Sequence, residues 1–392
     1  MYYICTIDKS NVLEHDFLSI NCIDQYNPKS LCIYYHGQFE IGRLTDFIEQ
    51  KIYKSGKYVG KYIDCILLDD IIKSDEILYD DEKDEFINCS DMIQIFDLLN
   101  KYNIPTLYIY NCNFKETSLN DYLQIIPKYD FEIKNIYFYN NNVQQFDIIC
   151  NILQSIKFEH LNISIDHYFG YKHLEILQNL ISNSKTINTL SFKNCRSIND
   201  DKIEESMKEF SGVLQTNTSL TSLDLSEFPI HTGFDYICDA LRYNTSITTL
   251  KLPMLYDESY IITLLEHNTT LMNLKICLKD YYSLSSKEHI DKLQECLQKN
   301  TTLTSLSILT NSCMLKKSFV ETLLKSKSLT TLKINLSYAE TIIIDDDIYT
   351  PITGMEKIIQ EALYANTTLT SLKLKTQPFY STLSIPCHTK IY

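Results

Sequence analysis

The stretch TNTSLTSLDL, residues 216–225, decides the reading of this chain because it recurs. KNTTLTSLSI (299–308) and ANTTLTSLKL (365–374) are near copies. YNTSITTLKL (243–252) and HNTTLMNLKI (267–276) follow the same frame, and SKTINTLSF (184–192) and SKSLTTLKI (326–334) are weaker versions. The shared frame is apolar-x-x-apolar-x-apolar. It extends backwards through FEHLNI (158–163), IKNIYF (133–138) and IPTLYI (104–109), with a still earlier copy at IDCILL (63–68). First frame positions are Ile104, Ile133, Phe158, Ile187, Leu220, Ile247, Leu271, Leu303, Leu329 and Leu369. Self-similarity at a spacing of 20–50 residues signals a stacked repeat.

The frame itself predicts a short strand. Alternate side chains of a strand leave opposite faces. Leu223 and Leu225 therefore point inward with Leu220, and Ser222 and Asp224 point outward. Between frames the apolar spacing changes to that of a helix. Met355, Ile358, Ile359, Ala362 and Leu363 share one face of 354–365, as do Phe234, Ile237, Cys238 and Leu241, and as do Ile290, Leu293 and Leu297. Each unit reads strand, loop, helix, loop. One unit cannot bury both of its faces, so units stack. The Asn of NTS and NTT is expected to end each helix in a left-handed conformation, with the following Ser or Thr satisfying local backbone groups.

The frame and the 24–33-residue spacing resemble the ribonuclease-inhibitor-like class of leucine-rich repeats. That resemblance implies an α/β solenoid, a horseshoe with parallel strands on its concave side and helices on its convex side. The Asn or Cys that the class carries after each strand is seldom present; Asn111-Cys112 and Asn194-Cys195 come closest. Three regions are expected. Residues 1–95 form an N-terminal cap or degenerate repeats, with a helix-like stretch Met92–Leu99 opening the regular array. Residues 96–374 hold about ten units, interrupted by an insertion at 336–353 that lengthens the last spacing to 40 residues. Residues 375–392 close the far end, because an open solenoid needs caps.

Composition narrows the function. Acidic residues outnumber basic ones by 50 to 36, a formal charge of −14. That opposes general nucleic-acid binding. Thirteen cysteines form no CxxC. With no basic-then-apolar leader at the start and no apolar run long enough to span a bilayer, reduced thiols and an intracellular, cytoplasmic location are expected. Heavy use of Ile, Asn, Lys and Tyr with only three arginines (Arg43, Arg196, Arg242) suggests an AT-rich genome.

Motifs for chemistry are weak. Gly56, Gly60 and Lys61 mimic a phosphate loop, one residue short and without its Ser or Thr. His160, His167 and His173 fall on strand, loop and helix, a poor arrangement for a metal. The acidic runs 80–85 and 345–347 read as solvated loops, since successive carboxylates diverge. No enzyme, cofactor or metal site is expected. Neither GTPase activation, which would want a placed Arg, nor the substrate-recognition role of a ubiquitin ligase finds a recognisable motif.

The outward strand positions are the remaining candidates. Lys251, Lys275, Lys333 and Lys373 occupy the same place in four units and predict a broken basic stripe. Upstream, Tyr108 and Tyr137 hold that place, with Tyr110 and Tyr139 two residues further on the same side. Tyrosine offers large contact area with a polar handle, and evenly spaced lysine suits an acidic patch or phosphates. These eight residues are the expected binding surface for a protein partner, with no membrane partner expected.

Overall fold

The computed structural model describes residues 3–7, 12–15, 30–36, 62–69, 89–110, 132–139, 143–154, 157–164, 168–193, 196–197, 202–228, 233–255, 259–278, 287–310, 322–336, 342–344, 347–349, 366–376 and 382–386. The chain divides into two compact units, Met1–Asp200 and Asp201–Tyr392.

In the first unit the main strands are β1 (Tyr3–Ile7), β2 (Val12–His15), β3 (Ser30–His36), β4 (Tyr62–Asp69), β5 (Thr106–Tyr110), β6 (Glu132–Tyr139), β7 (Lys157–Ser164) and β9 (Thr189–Lys193). They pair in the order β2-β1-β3-β4-β5-β6-β7-β9. All pairs are parallel except β2 on β1, which closes one edge antiparallel. The earliest frame copy is in register with the next, Ile66 opposite Leu107. Two short strands, β8 (Tyr168–Phe169) and β10 (Arg196–Ser197), pair separately. The helices are α1 (Cys89–Lys101), α2 (Val143–Leu153) and α3 (Tyr171–Asn183).

The second unit carries α4 (Ile203–Thr216), β11 (Ser222–Asp224), α5 (Phe234–Tyr243), β12 (Thr249–Leu255), α6 (Ser259–His267), β13 (Asn273–Leu278), α7 (Lys287–Lys299), β14 (Ser305–Thr310), β15 (Thr331–Leu336), β18 (Ser371–Thr376) and β19 (Thr382–Pro386). The order is β11-β12-β13-β14-β15-β18-β19, parallel until β19 returns antiparallel. Within the stretch expected as an insertion, β16 (Ile342–Ile344) and β17 (Asp347–Tyr349) make an antiparallel hairpin. The phosphate-loop mimic, His167, the acidic run 80–85, Asp345, Asp346 and the helix read over 354–365 lie outside the described residues.

Both units are α/β stacks of strand and helix repeats, and the frame explains why. Leu223, Leu250, Leu274, Leu306, Leu332 and Leu372 form one in-register inward row, buried to 2% exposure or less. Ile66, Leu107, Ile136, Leu161 and Leu190 do the same in the first unit, all fully buried. Each such side chain contributes about 1.5–3 kcal/mol by leaving water. The helices supply the opposite wall. Phe234, Ile237, Cys238 and Leu241 of α5 are buried, as the helical spacing requires. Successive helices pack on one another as successive strands pair: α2 on α3, and α4 on α5 on α6 on α7. The β12–β13 ladder shifts register between Lys251 and Met254. Pro253 sits in that gap, and a proline has no N–H to give the ladder.

The helix ends differ from the sequence expectation. Asn217 and Asn244 cap α4 and α5 in extended conformation, with φ of −67° and −69°. Among the described non-glycine residues only Asn103, outside the NTS and NTT copies, has positive φ. The asparagine serves through its side chain instead. Asn244 Oδ1 accepts the Ser246 and Ile247 N–H at 2.9 and 2.7 Å. Its Nδ2 donates to the Leu214 and Asn217 carbonyls of the preceding repeat at 2.7 and 3.0 Å. Ser246 adds a bond from its hydroxyl to the Asn217 carbonyl. Asn268 repeats this with Thr270, and Asn366 with Thr368 three repeats further on. Backbone groups that would otherwise be buried without partners are thereby satisfied.

Candidate functional site

The outer face of the strands is where the frame places its variable polar residues, and the register aligns them in rows. In the second unit one row runs Asp224, Lys251, Lys275, Ser307, Lys333, Lys373 across six neighbouring strands. The row beside it runs Ser222, Thr249, Asn273, Ser305, Thr331, Ser371. All four expected lysines thus stand in one line, interrupted once by Ser307.

The lysines are not equivalent. Lys251 Nζ donates to Asp224 Oδ2 at 2.7 Å. Asp224 also accepts the Ser226 hydroxyl at 2.6 Å and the Ser226 N–H at 3.1 Å. Burial opposes ionisation of Asp224. The bonds from Lys251 and Ser226 outweigh it and hold its carboxyl below the usual carboxylate value. Lys275 is half-buried, and Lys333 and Lys373 are exposed. Among the described residues, none of these three makes a salt bridge with a carboxylate. The stripe predicted from sequence therefore forms, with its first member already neutralised.

In the first unit the register brings Tyr108 opposite Tyr137, and Tyr110 opposite Tyr139. The rings of Tyr108 and Tyr137 stack with centroids 4.3 Å apart and planes 13° from parallel. Tyr108 is only 5% exposed, so the expectation that it offers free contact area is corrected. Tyr137 remains half-buried. The side chains of Tyr110 and Tyr139 lie outside the described residues. Beside the stack, Asn135 Nδ2 donates to Thr106 Oγ1 at 3.1 Å. The same pair recurs in the second unit as Asn273 Nδ2 to Thr249 Oγ1 at 3.1 Å. Such cross-strand side-chain bonds fix the outer surface before any partner arrives.

Elsewhere several titratable groups are buried or paired within the fold. His173 is buried on α3. Its Nδ1 accepts the Gly170 N–H at 3.2 Å, and its ring stacks on Phe169 at 5.0 Å. Burial pushes its pKa down to about 4, so it is neutral at physiological pH. His160 is half-exposed on β7, 3.6 Å from Glu159. Among the described residues no group of three His, Cys, Asp or Glu could hold a metal ion. Cys150, Cys238 and Cys296 are buried free thiols. Burial, aided by nearby carboxylates, raises all three, Cys296 to about 11. Such thiols are poor nucleophiles. A surface groove of about 360 Å³ lies between α6 and α7, bordered by Glu266, Glu295, Cys296 and Lys299. Lys299 is already paired with Glu295 at 2.6 Å. No described helix is long and apolar enough to cross a membrane.

No protein-family model matches the chain. No curated protein matches it either. Among solved structures, it is similar to the crystal structure of the Rad7 and Elc1 complex in yeast. The identity is 14% over 75% of this chain and 82% of that one, with a TM-score of 0.35. A likeness that slight says nothing about function.

Proposed function

We propose that this chain is a non-catalytic scaffold that binds a protein partner on the outer face of its strands. One observation carries the reading. The register gathers variable polar side chains into continuous rows, while the same strands' inward rows are uniformly apolar. A wide, rigid, pre-formed polar surface binds without first ordering itself, which lowers the cost of association. The buried thiols Cys150, Cys238 and Cys296 and the buried His173 pack within the core, which supports a non-catalytic reading. We assign the repeats to the ribonuclease-inhibitor-like class on the 24–33-residue spacing and on the α-helices α4, α5, α6 and α7 that precede the copies at 216, 243, 267 and 299. An intracellular setting agrees with the free buried thiols. It also agrees with the Asn244 and Asn268 amides, which are buried and fully engaged rather than free to carry a glycan.

Capture from the source cell tests the reading. Ser305→Glu with Thr331→Glu alters the strand face at half-buried outer positions. Glu205→Arg with Glu209→Arg alters exposed positions on α4. The strand-face pair should abolish capture of a stoichiometric partner and the helix pair should leave it intact. The opposite pattern would overturn the proposal.

A further inference from the structure

The strand face of the second unit has a chemistry that the general reading does not use. β13, β14, β15 and β18 present outward register positions Asn273, Lys275 and Cys277; Ser305, Ser307 and Leu309; Thr331, Lys333 and Asn335; Ser371 and Lys373. These positions hold three lysines, no carboxylate and no aromatic residue, in a chain whose acids outnumber its bases 50 to 36. Among the described residues, Lys275, Lys333 and Lys373 have no counter-ion within salt-bridge distance. On the β12 side the field ends abruptly, because Asp224 neutralises Lys251 at 2.7 Å.

We propose that this four-strand patch is a docking site for a short acidic segment of a protein partner, bound through carboxylates to Lys275, Lys333 and Lys373. This rests on the strand-face reading above and names the partner chemistry. Neighbouring strands are about 4.8 Å apart, so the row from Lys275 to Lys373 spans about 14 Å. That is the reach of about four or five extended residues. Length matters because the chain as a whole is negative. Charges further than a Debye length, about 10 Å at 0.1 M salt, are largely screened. A short segment therefore responds to the lysines beneath it, whereas a long polyanion also meets the acidic remainder of the chain. Single-stranded nucleic acid is further disfavoured because the outward positions of these strands hold no aromatic ring for a base to stack on. The neighbouring hydroxyls of Ser305, Ser307, Thr331 and Ser371 can donate to carboxylate oxygens left free by the lysines.

Asp224 and Ser307 make the site testable by gain as well as loss. Ser307→Lys fills the one interruption in the row. Asp224→Asn releases Lys251 and lengthens the row by one strand, while the new Asn can still accept from Ser226.

The experiment is fluorescence anisotropy of a labelled hexaglutamate peptide against the full-length protein at low and moderate salt. A labelled oligouridylate of equal charge is the second probe. Hexaglutamate should bind and weaken as salt rises. S307K and D224N should each tighten binding by about threefold, and K333E with K373E should weaken it by about tenfold or more. The gain variants guard against misreading an unfolded protein as a lost site. Absence of salt-sensitive peptide binding, indifference to S307K and K333E, or tighter binding of the oligouridylate would each overturn the inference. If the cellular partner is still lost with Ser305→Glu and Thr331→Glu while hexaglutamate ignores the row, only the acidic-segment inference falls. If capture also ignores those substitutions, the strand-face reading falls with it.

Discussion

Asn268 donates its side-chain amide to the Leu241 carbonyl of the preceding repeat at 2.7 Å, while its Oδ1 receives the Thr270 and Leu271 N–H at 3.0 and 2.7 Å. One side chain thus closes its own turn and bonds to its neighbour. Asn268→Ala strands a carbonyl and two N–H groups in a buried setting. The expected loss is about 2–4 kcal/mol in urea unfolding. Asn268→Ser should lose roughly half as much. Serine already does this work at Ser326, whose Oγ accepts the Ser328 and Leu329 N–H.

The ion pair at the edge of the lysine row has a defined pH signature. The folded pKa of Asp224 is below the ordinary value of 3.8. Its stabilising effect is therefore present above that value and is lost as pH falls through the folded pKa. Lys251 is 44% exposed in the pair, so water screens much of the attraction. Asp224→Asn should cost about 1 kcal/mol or less at neutral pH. At low enough pH to protonate the aspartate, the difference from wild type should vanish.

His173 acts at higher pH. Its pKa falls from 6.5 to about 4 on folding, so the unfolded chain holds more protons between those values. The stability due to neutral His173 is complete above pH 6.5 and drains away as pH falls towards 4, by up to about 3 kcal/mol. Unfolding free energies of wild type and His173→Gln, measured from pH 4 to 7, should converge as pH falls. Parallel curves would show that His173 does not titrate as the burial implies.

Gly233 begins α5 with φ of +75°, and a Cβ there would meet Met207 Cβ at 3.0 Å. Backbone conformation and close approach to α4 both require glycine. Gly233→Ala should destabilise by about 1–3 kcal/mol in urea unfolding. Gly212, where a Cβ would meet nothing within 4 Å, is the control and should tolerate alanine.

Much of this was legible because stacking repeats the same physical demand. Leucine every second residue of the frame, with polar residues between, fixes which face is buried. Ten noisy copies average out the ambiguity of any one. The lysine row followed from the frame alone. The Lys251–Asp224 pair could have been found too, since both hold the same outward place in successive copies. The helix ends were misjudged because asparagine suits both a left-handed cap and a side-chain turn. The discriminating signal was serine at 184 and 326. Serine has an acceptor oxygen but no special tolerance of positive φ. Burial of Tyr108 was not legible, because the frame gives a side chain's direction and not what its neighbour covers. Tyr137, 29 residues later, stacks against it.

Amine acetylation of the full-length protein, alone and in complex with the partner captured from its source cell, tests the strand-face claim most directly. Mass spectrometry would read the protection at each lysine. The account predicts protection at Lys275, Lys333 and Lys373, with exposed Lys172 of α3 and Lys208 of α4 labelled equally in both states. Protection of Lys172 or Lys208 with the three row lysines fully labelled would contradict it.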